Sequence, residues 1–486
     1  MKDAFRVRSK DLLGRIGDLW TRSGVVHTPT LAPVISVSGG PLSAKEIKDM
    51  GFELVITNAY LWMKRGEDRD IHEVLGVNGP IMTDSGAYQL LVYGSVDVTN
   101  EQIIRYQEKI HSDIGVVLDV PTGIVTKDEA ERTVKETLSS ELEALKLISD
   151  EDVVWTAPVQ GGTHLDLVKQ MVDQAKSLDY PLYALGSPTP LMEGHRYAEL
   201  FDLLYEVRVR LPSHKPLHLF GAGHPSMFPF AVALGADTFD SAAYALFAKE
   251  GRYMTSTGSE KLENLKEFPC ACPVCSTHTP SEVLRMDKKE REKFLAKHNL
   301  YVSIAEIRTI RNAINEGRLW DLVESRARAA SELWEAFKRF ERYSDGFLKH
   351  TAVRKIGARG FSVIDEMSTN RPELLWHITS VQRMISGRSE LTIALNADEL
   401  PEGEGYFLAG FPFVLTPKQL LKVYPLYFAK YQKLRHEEEL EFLGKKIVPL
   451  VRGKKVHVVG DQSLVDLLKE RGVDADLIPA PKSVQT

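Results

Sequence analysis

Apolar runs recur along the first half of the chain with regular punctuation. Val25–Val34, Leu54–Leu61, Pro80–Gly86, Ile114–Pro121, Val153–Gly161, Tyr180–Ser187, Pro216–Gly223 and Ala236–Tyr244 each end in a polar or glycine-bearing turn. The segments between them carry spacing close to the helical period, as in Asp128–Ile148 with Val134, Leu138, Leu142 and Leu145, and in Leu165–Leu178. Short apolar runs bounded by turns predict buried strands, and the 3.6-residue spacing predicts helices packed against them. Eight strand-then-helix units fit a closed (β/α)8 TIM barrel better than an open doubly wound sheet. No Gly-x-Gly-x-x-Gly follows the first run, so the dinucleotide-binding signature is missing.

In a barrel the carboxyl ends of all eight strands face one mouth, where rigid strands aim side chains and loops are free to vary. Those ends carry Asp84 in Ile81-Met82-Thr83-Asp84-Ser85-Gly86-Ala87-Tyr88-Gln89, Asp119, Gln160, Gly186, Gly223 and Asp240. Taken singly, Asp84 reads as a helix cap and Tyr88 as core. Together, three carboxylates, an amide and open glycine backbone predict a site. Paired acids suit chemistry at a glycosidic carbon. Asp and Gln beside a free backbone N–H suit the hydrogen-bonding edge of a purine, with Tyr88 stacked on its face.

A net charge of −6 argues against a globally basic nucleic-acid coat, so RNA contacts are expected from local patches. Between Arg308 and Arg359 there are 12 Lys/Arg, including Arg326, Arg328, Arg339, Arg354 and Lys355, interleaved with seven Asp/Glu. The stretch is either a solvated helix face or a phosphate track. No run approaches the roughly 18 apolar residues of a membrane span, and Met1-Lys2-Asp3-Ala4-Phe5 lacks a signal-peptide core. A cytoplasmic protein with no membrane partner is expected.

All three cysteines lie within six residues, Cys270-Ala271-Cys272-Pro273-Val274-Cys275. Three thiols cannot pair off, but C-x-C-x-x-C lets three thiolates converge on one soft cation with a tetrahedral position left open. His278 would require a tight reversal. His298 follows a helical stretch able to fold back over the metal and is the expected fourth ligand. Four protein ligands predict a closed, structural Zn2+ site, one per chain.

Asp84-Ser85-Gly86-Ala87-Tyr88-Gln89, Val159-Gln160-Gly161-Gly162, Leu185-Gly186, Phe239-Asp240-Ser241 and the Cys270/Cys272/Cys275/His298 set resemble the tRNA-guanine transglycosylases, over about residues 10 to 360. The Ala-Tyr variant and Phe239-Asp240-Ser241-Ala242-Ala243-Tyr244 resemble the archaeal branch. That resemblance implies exchange of guanine at position 15, in the tRNA D-arm, for 7-cyano-7-deazaguanine (preQ0), the archaeosine precursor. It implies Asp240 as the nucleophile at ribose C1′ and Asp84 as general acid/base. Tyr88 would stack on the flipped base, and Asp119 would accept from guanine N1–H and its 2-amino group. Gln160 and the backbone N–H of Gly186 would donate to O6, with the 7-cyano group near Leu185, Gly186 and Ser187. A homodimer is a further implication. Residues 1–345 form the expected catalytic domain, with the zinc subdomain at about 265–345.

Beyond it, small α+β accessory domains are expected over 346–430 and 431–486. Leu391–Leu395 reads as a strand, and Thr416-Pro417 reads as a helix start running to about Tyr424. Lys430–Leu443 reads as a charged helix. Val456–Gly460, Leu464–Glu470 and Ala475–Ile478 read as strand, helix, strand. Archaeal relatives often continue into a PUA-type RNA-binding domain; none is expected before Thr486, and a separate PUA-domain protein is the expected substitute. The alternatives are a queuine- or preQ1-type enzyme acting on the anticodon, a glycoside hydrolase on the same barrel, and a non-catalytic RNA-binding subunit. Retention of Asp84, Asp119 and Asp240 argues against the last.

Overall fold

The computed structural model describes residues 4–87, 98–351, 360–423 and 428–480. The chain forms two compact units, residues 1–339 and 340–486.

The first unit opens with an antiparallel sheet of β1 (Phe5–Asp11), β2 (Gly14–Thr21) and β3 (Gly24–Thr28). Eight parallel strands follow: β4 (Thr30–Pro33), β5 (Val55–Asn58), β6 (Ile81–Asp84), β7 (Ile114–Val116), β8 (Val154–Val159), β9 (Leu182–Leu185), β10 (Leu217–Leu219) and β11 (Thr238–Ser241). They pair in the order β4-β11-β10-β9-β8-β7-β6-β5, and a parallel bridge between Val34 and Ile56 closes the ring. All eight expected runs are barrel strands, with one difference. The Val25–Val34 run is two strands, β3 in the N-terminal sheet and β4 in the barrel, with Pro29, which has no N–H to give to a ladder, between them.

Strand pleating sends alternate residues inward. Ala32, Leu54, Ile56, Met82, Ile114, Val116, Val154 and Leu182 form one buried cluster with Ala4, Phe5, Leu19 and Val26. The N-terminal sheet thus plugs the amino end of the barrel, the end opposite the expected site. That end is tied by buried polar links, among them Arg15 to Asp237 and His72 Nε2 to Asp113 Oδ2 at 2.8 Å.

After the barrel come a hairpin of β12 (Arg252–Met254) and β13 (Ser259–Lys261) and a 29-residue helix, Lys288–Glu316. Asp287 caps that helix through two backbone N–H groups, and Gly317 ends it in the left-handed conformation that glycine adopts without cost.

In the second unit a five-stranded sheet runs in the order Val414–Pro417, Tyr406–Gly410, Glu390–Ala394, Lys455–Val459, Asp474–Ile478. Its core joins Val381, Ile393 and Leu415 to Leu443, Val456 and Leu468. The expected boundary at 430/431 therefore runs through one sheet and one core. Of the helix expected from Thr416-Pro417 to about Tyr424, the first two residues end an edge strand, with Thr416 opposite Leu408 and Pro417 opposite Phe407, only a 3-10 turn Lys418–Leu420 follows, and Tyr424 lies outside the described residues. A β-branched residue buried on a sheet face and a proline on an edge strand both satisfy the ladder there. The charged helix spans His436–Lys446, after a short strand Ala429–Tyr431.

Candidate active site at the barrel mouth

One cavity of about 1330 Å3 opens at the carboxyl ends of the strands, lined by Asn58, Asp84, Asp119, Gln160, Gly186 and Asp240 among others. The four side chains expected to converge do so, although 156 residues separate the first from the last.

Asp84 ends β6 and is followed by a turn that only glycine permits. Gly86 has φ +90°, and a Cβ there would lie 2.3 Å from Tyr60 Cβ. Asn58, ending the neighbouring β5, donates from Nδ2 to Asp84 Oδ2 at 3.1 Å. Burial and the negative charges of Asp119 and Asp240 push the Asp84 carboxyl up to about 7, against the pull of the Gly86 and Ser85 backbone N–H groups. Its proton is therefore shared about equally between bound and free near neutrality.

Burial likewise raises Asp119 to about 6, and a hydrogen bond from Gln160 limits the rise. Gln160 is itself buried. Its Nε2 donates to Asp119 Oδ2, and its Oε1 accepts from Thr122 N–H at 3.1 Å and Ser187 Oγ at 2.9 Å. Gly186 is needed for space, since a Cβ there would sit 2.2 Å from Gln160 Nε2.

Two expectations at β9 change. The Gly186 N–H, expected to face the base, donates to Val159 O at 2.9 Å because the β8–β9 ladder runs on past Leu185. Leu185 is buried and does not line the cavity, since Leu182 faces the barrel interior and the pleat turns Leu185 the other way. Tyr88 lies outside the described residues.

Asp240, in β11, is held by Oδ1, which accepts from Gly221 N–H at 2.8 Å and lies 3.1 Å from His218 Nε2. Asn58, Thr122, His218 and Gly221 were not singled out from the sequence. Asn58 also caps the short helix Ala59–Lys64, its Oδ1 accepting from Leu61 N–H at 2.9 Å. Behind the Asp119 loop, Glu141 is fully buried on the helix Lys127–Leu147, and neither carboxylate oxygen has a hydrogen-bond partner among the described residues. Burial and the charge of Asp119 push its carboxyl well above the ordinary range.

The second expected site also assembles. One ligand atom from each of Cys270, Cys272, Cys275 and His298 lies within 4.8 Å of the others, a group that could hold a metal ion. His298 Nδ1 faces the sulfurs, 3.2 Å from Cys275 Sγ, because Nε2 is fixed 2.8 Å from Met254 O. Three soft sulfurs and one oriented imidazole fit a closed tetrahedral set. His278 is exposed and bonds locally to Thr277. Of the expected basic track, Arg326 is paired bidentately with Glu306, Arg328 with Glu324, and Arg339 with Asp202, so these three are neutralised by carboxylates of the fold. Arg354, Lys355 and Arg359 lie outside the described residues.

Titratable groups gathered at the carboxyl end of a closed barrel define a (β/α)8-barrel enzyme. Comparison with known proteins narrows the class. The family described as TGT: Queuine tRNA-ribosyltransferase matches residues 10–332. A protein named tRNA-guanine(15) transglycosylase from Aeropyrum pernix is 43% identical over 391 residues, 79% of this chain and 76% of that one. Proteins of the same name from Sulfolobus acidocaldarius (36% over 492 residues, 98% of each chain) and Methanosarcina mazei (41% over 431 residues, 87% of each) are also similar. The chain belongs to the queuine tRNA-ribosyltransferase family.

Proposed function

We infer that this chain is a tRNA-guanine(15) transglycosylase, exchanging guanine in the tRNA D-arm for 7-cyano-7-deazaguanine on the route to archaeosine. The relatives' shared name supports the substrate position. The observation that carries the chemistry is the convergence of Asp84, Asp119, Gln160 and Asp240 on one cavity large enough for an extruded nucleotide.

Asp240 attacks ribose C1′ through Oδ2, since Oδ1 is engaged, and the C1′–N9 bond breaks. Asp84, poised near neutrality, gives its proton to the departing guanine and later takes the N9 proton of the incoming base. The Oδ1 atom of Asp119 accepts from the base N1–H and 2-amino group, and the second N–H of Gln160 donates to O6. Tyr88 stacks on the base. Gly186 serves by close approach, and Ser187, beside it, bounds the space for the 7-substituent.

Cys270, Cys272, Cys275 and His298 hold a structural Zn2+, which supplies cross-linking and no step of the reaction. Residues 1–345 constitute the catalytic part. The protein acts in the cytoplasm as a homodimer.

The test is tRNA carrying labelled guanine either at position 15 or, in a second preparation, in the anticodon, each chased with preQ0, preQ1 or queuine in turn. Release of label by preQ0 is expected. Release only from the anticodon, or only by queuine, would overturn the assignment.

A further inference from the structure

Under that reading, Asp240 faces two opposed demands. Basicity helps it attack C1′ in the first half of the exchange and hinders its departure in the second. The barrel interior beneath the site is mostly aliphatic, built from residues such as Ile56, Met82 and Val116. His218, fully buried on β10, breaks that pattern. Its Nε2 lies 3.1 Å from Asp240 Oδ1 and its Nδ1 2.9 Å from Thr238 Oγ1. Phe220, which lines the cavity, meets the imidazole edge-on at 4.7 Å between centroids.

The tautomer follows from the partners. An ionised carboxylate only accepts, so Nε2 carries the proton; the Thr238 hydroxyl then donates to Nδ1. Gly221 N–H donates to the same Oδ1 at 2.8 Å. Two donors on one oxygen fix the carboxylate rotamer and leave Oδ2 as the reacting atom. They also favour the free carboxylate over the ester, in which negative charge has been lost from the group.

We propose that His218 is a positioning residue for Asp240, holding Oδ1 so that Oδ2 attacks, and drawing the carboxylate off the ribose when the incoming base arrives. In that second half the Oδ2–C1′ bond breaks with its electron pair returning to the carboxylate. N9 of the incoming base bonds to C1′, and its proton passes to Asp84. The proposal rests on Asp240 being the nucleophile.

The experiment forms the covalent tRNA–enzyme adduct in a single turnover, then chases it with preQ0 and follows its disappearance on a denaturing gel. His218→Phe keeps the ring volume and removes the donor. It should slow adduct resolution about 10- to 100-fold, the scale of one hydrogen bond to a charged group, and slow formation less, so that adduct accumulates. His218→Gln, whose amide can present an N–H toward Oδ1, should recover most of the rate. Thr238→Val, which frees the tautomer without touching Asp240, should shift resolution in the same direction by less. Wild-type resolution in His218→Phe, or equal slowing of both halves with no rescue by Gln, overturns the positioning role and leaves the nucleophile standing. If His218→Phe does not fold, the Gln and Val variants decide by the same comparison. Absence of any adduct from the wild-type enzyme would instead count against Asp240 itself.

Discussion

Gln160 clasps Asp119 from a fixed orientation: its amide nitrogen donates to Asp119 Oδ2 while its oxygen is held by Thr122 N–H and Ser187 Oγ. An amide that could flip would read either a donor or an acceptor. This one presents only N–H to the cavity, which is what a carbonyl such as O6 requires. Gln160→Glu would set carboxylate against carboxylate and remove the donor. Base exchange is expected to fall at least about 100-fold in kcat/KM, because a site built to hydrogen-bond its substrate discriminates strongly once a group is unpaired. The tRNA dissociation constant should change by less than about threefold, since phosphate contacts dominate affinity. Competition of labelled tRNA binding alongside exchange assays separates the two.

The acid cluster predicts a narrow pH profile. Asp119 must be ionised to accept from the base, and burial places its carboxyl at about 6. Asp84 must hold a proton to release guanine, and burial with its acidic neighbours places it at about 7. A plot of kcat/KM against pH should therefore rise through about 6 and fall through about 7, the limbs belonging to the coupled group rather than to either residue alone. A plateau extending from pH 5 to pH 9 would contradict this assignment of roles.

How far the sequence disclosed this arrangement depends on what set each position. The barrel strands were legible because burial on both faces makes them continuous apolar runs, and the carboxylates because each ends such a run. His298 was legible because three cysteines needed a fourth partner. The N-terminal sheet was not, since its alternation is masked by two buried charges, Arg15, whose partner Asp237 lies far along the chain, and Asp18, which pairs with Arg8 across the sheet itself. His218 was not, because the interstrand register, not its own neighbours Leu217 and Leu219, brings it beneath Asp240. At Thr416-Pro417 the local helix-start signal lost to strand pairing along a sheet edge.

Glu141 carries a stability cost of its own. Its raised carboxyl holds a proton in the fold that the unfolded chain would release above its ordinary value near 4.3. The stability it contributes is thus complete below that value and is lost as pH rises toward the folded one. Glu141→Gln, nearly isosteric and uncharged, should raise Tm at pH 8, because only the carboxyl gains stabilising ionisation on unfolding at that pH. At pH 4 the two proteins should melt together. Equal melting at both values would show that the carboxyl is satisfied in solution.

The four-ligand cluster predicts a metal that holds the loop Cys270–Cys275 to the helix Lys288–Glu316. Purified protein should contain one zinc per chain by elemental analysis. Strong chelation, or Cys272→Ser, should lower Tm by about 10 °C or more, because binding energy at a structural zinc site is folding energy. Metal-free protein with unchanged melting would remove the structural role.

The central claim is that Asp240 forms a bond to ribose, and one measurement reaches it directly. Wild-type protein incubated with labelled tRNA and quenched in denaturant should give a slower-migrating protein–RNA band. Asp240→Asn should bind the same tRNA, give no such band and release no guanine. Guanine exchange by Asp240→Asn at a rate near that of the wild type would contradict the account.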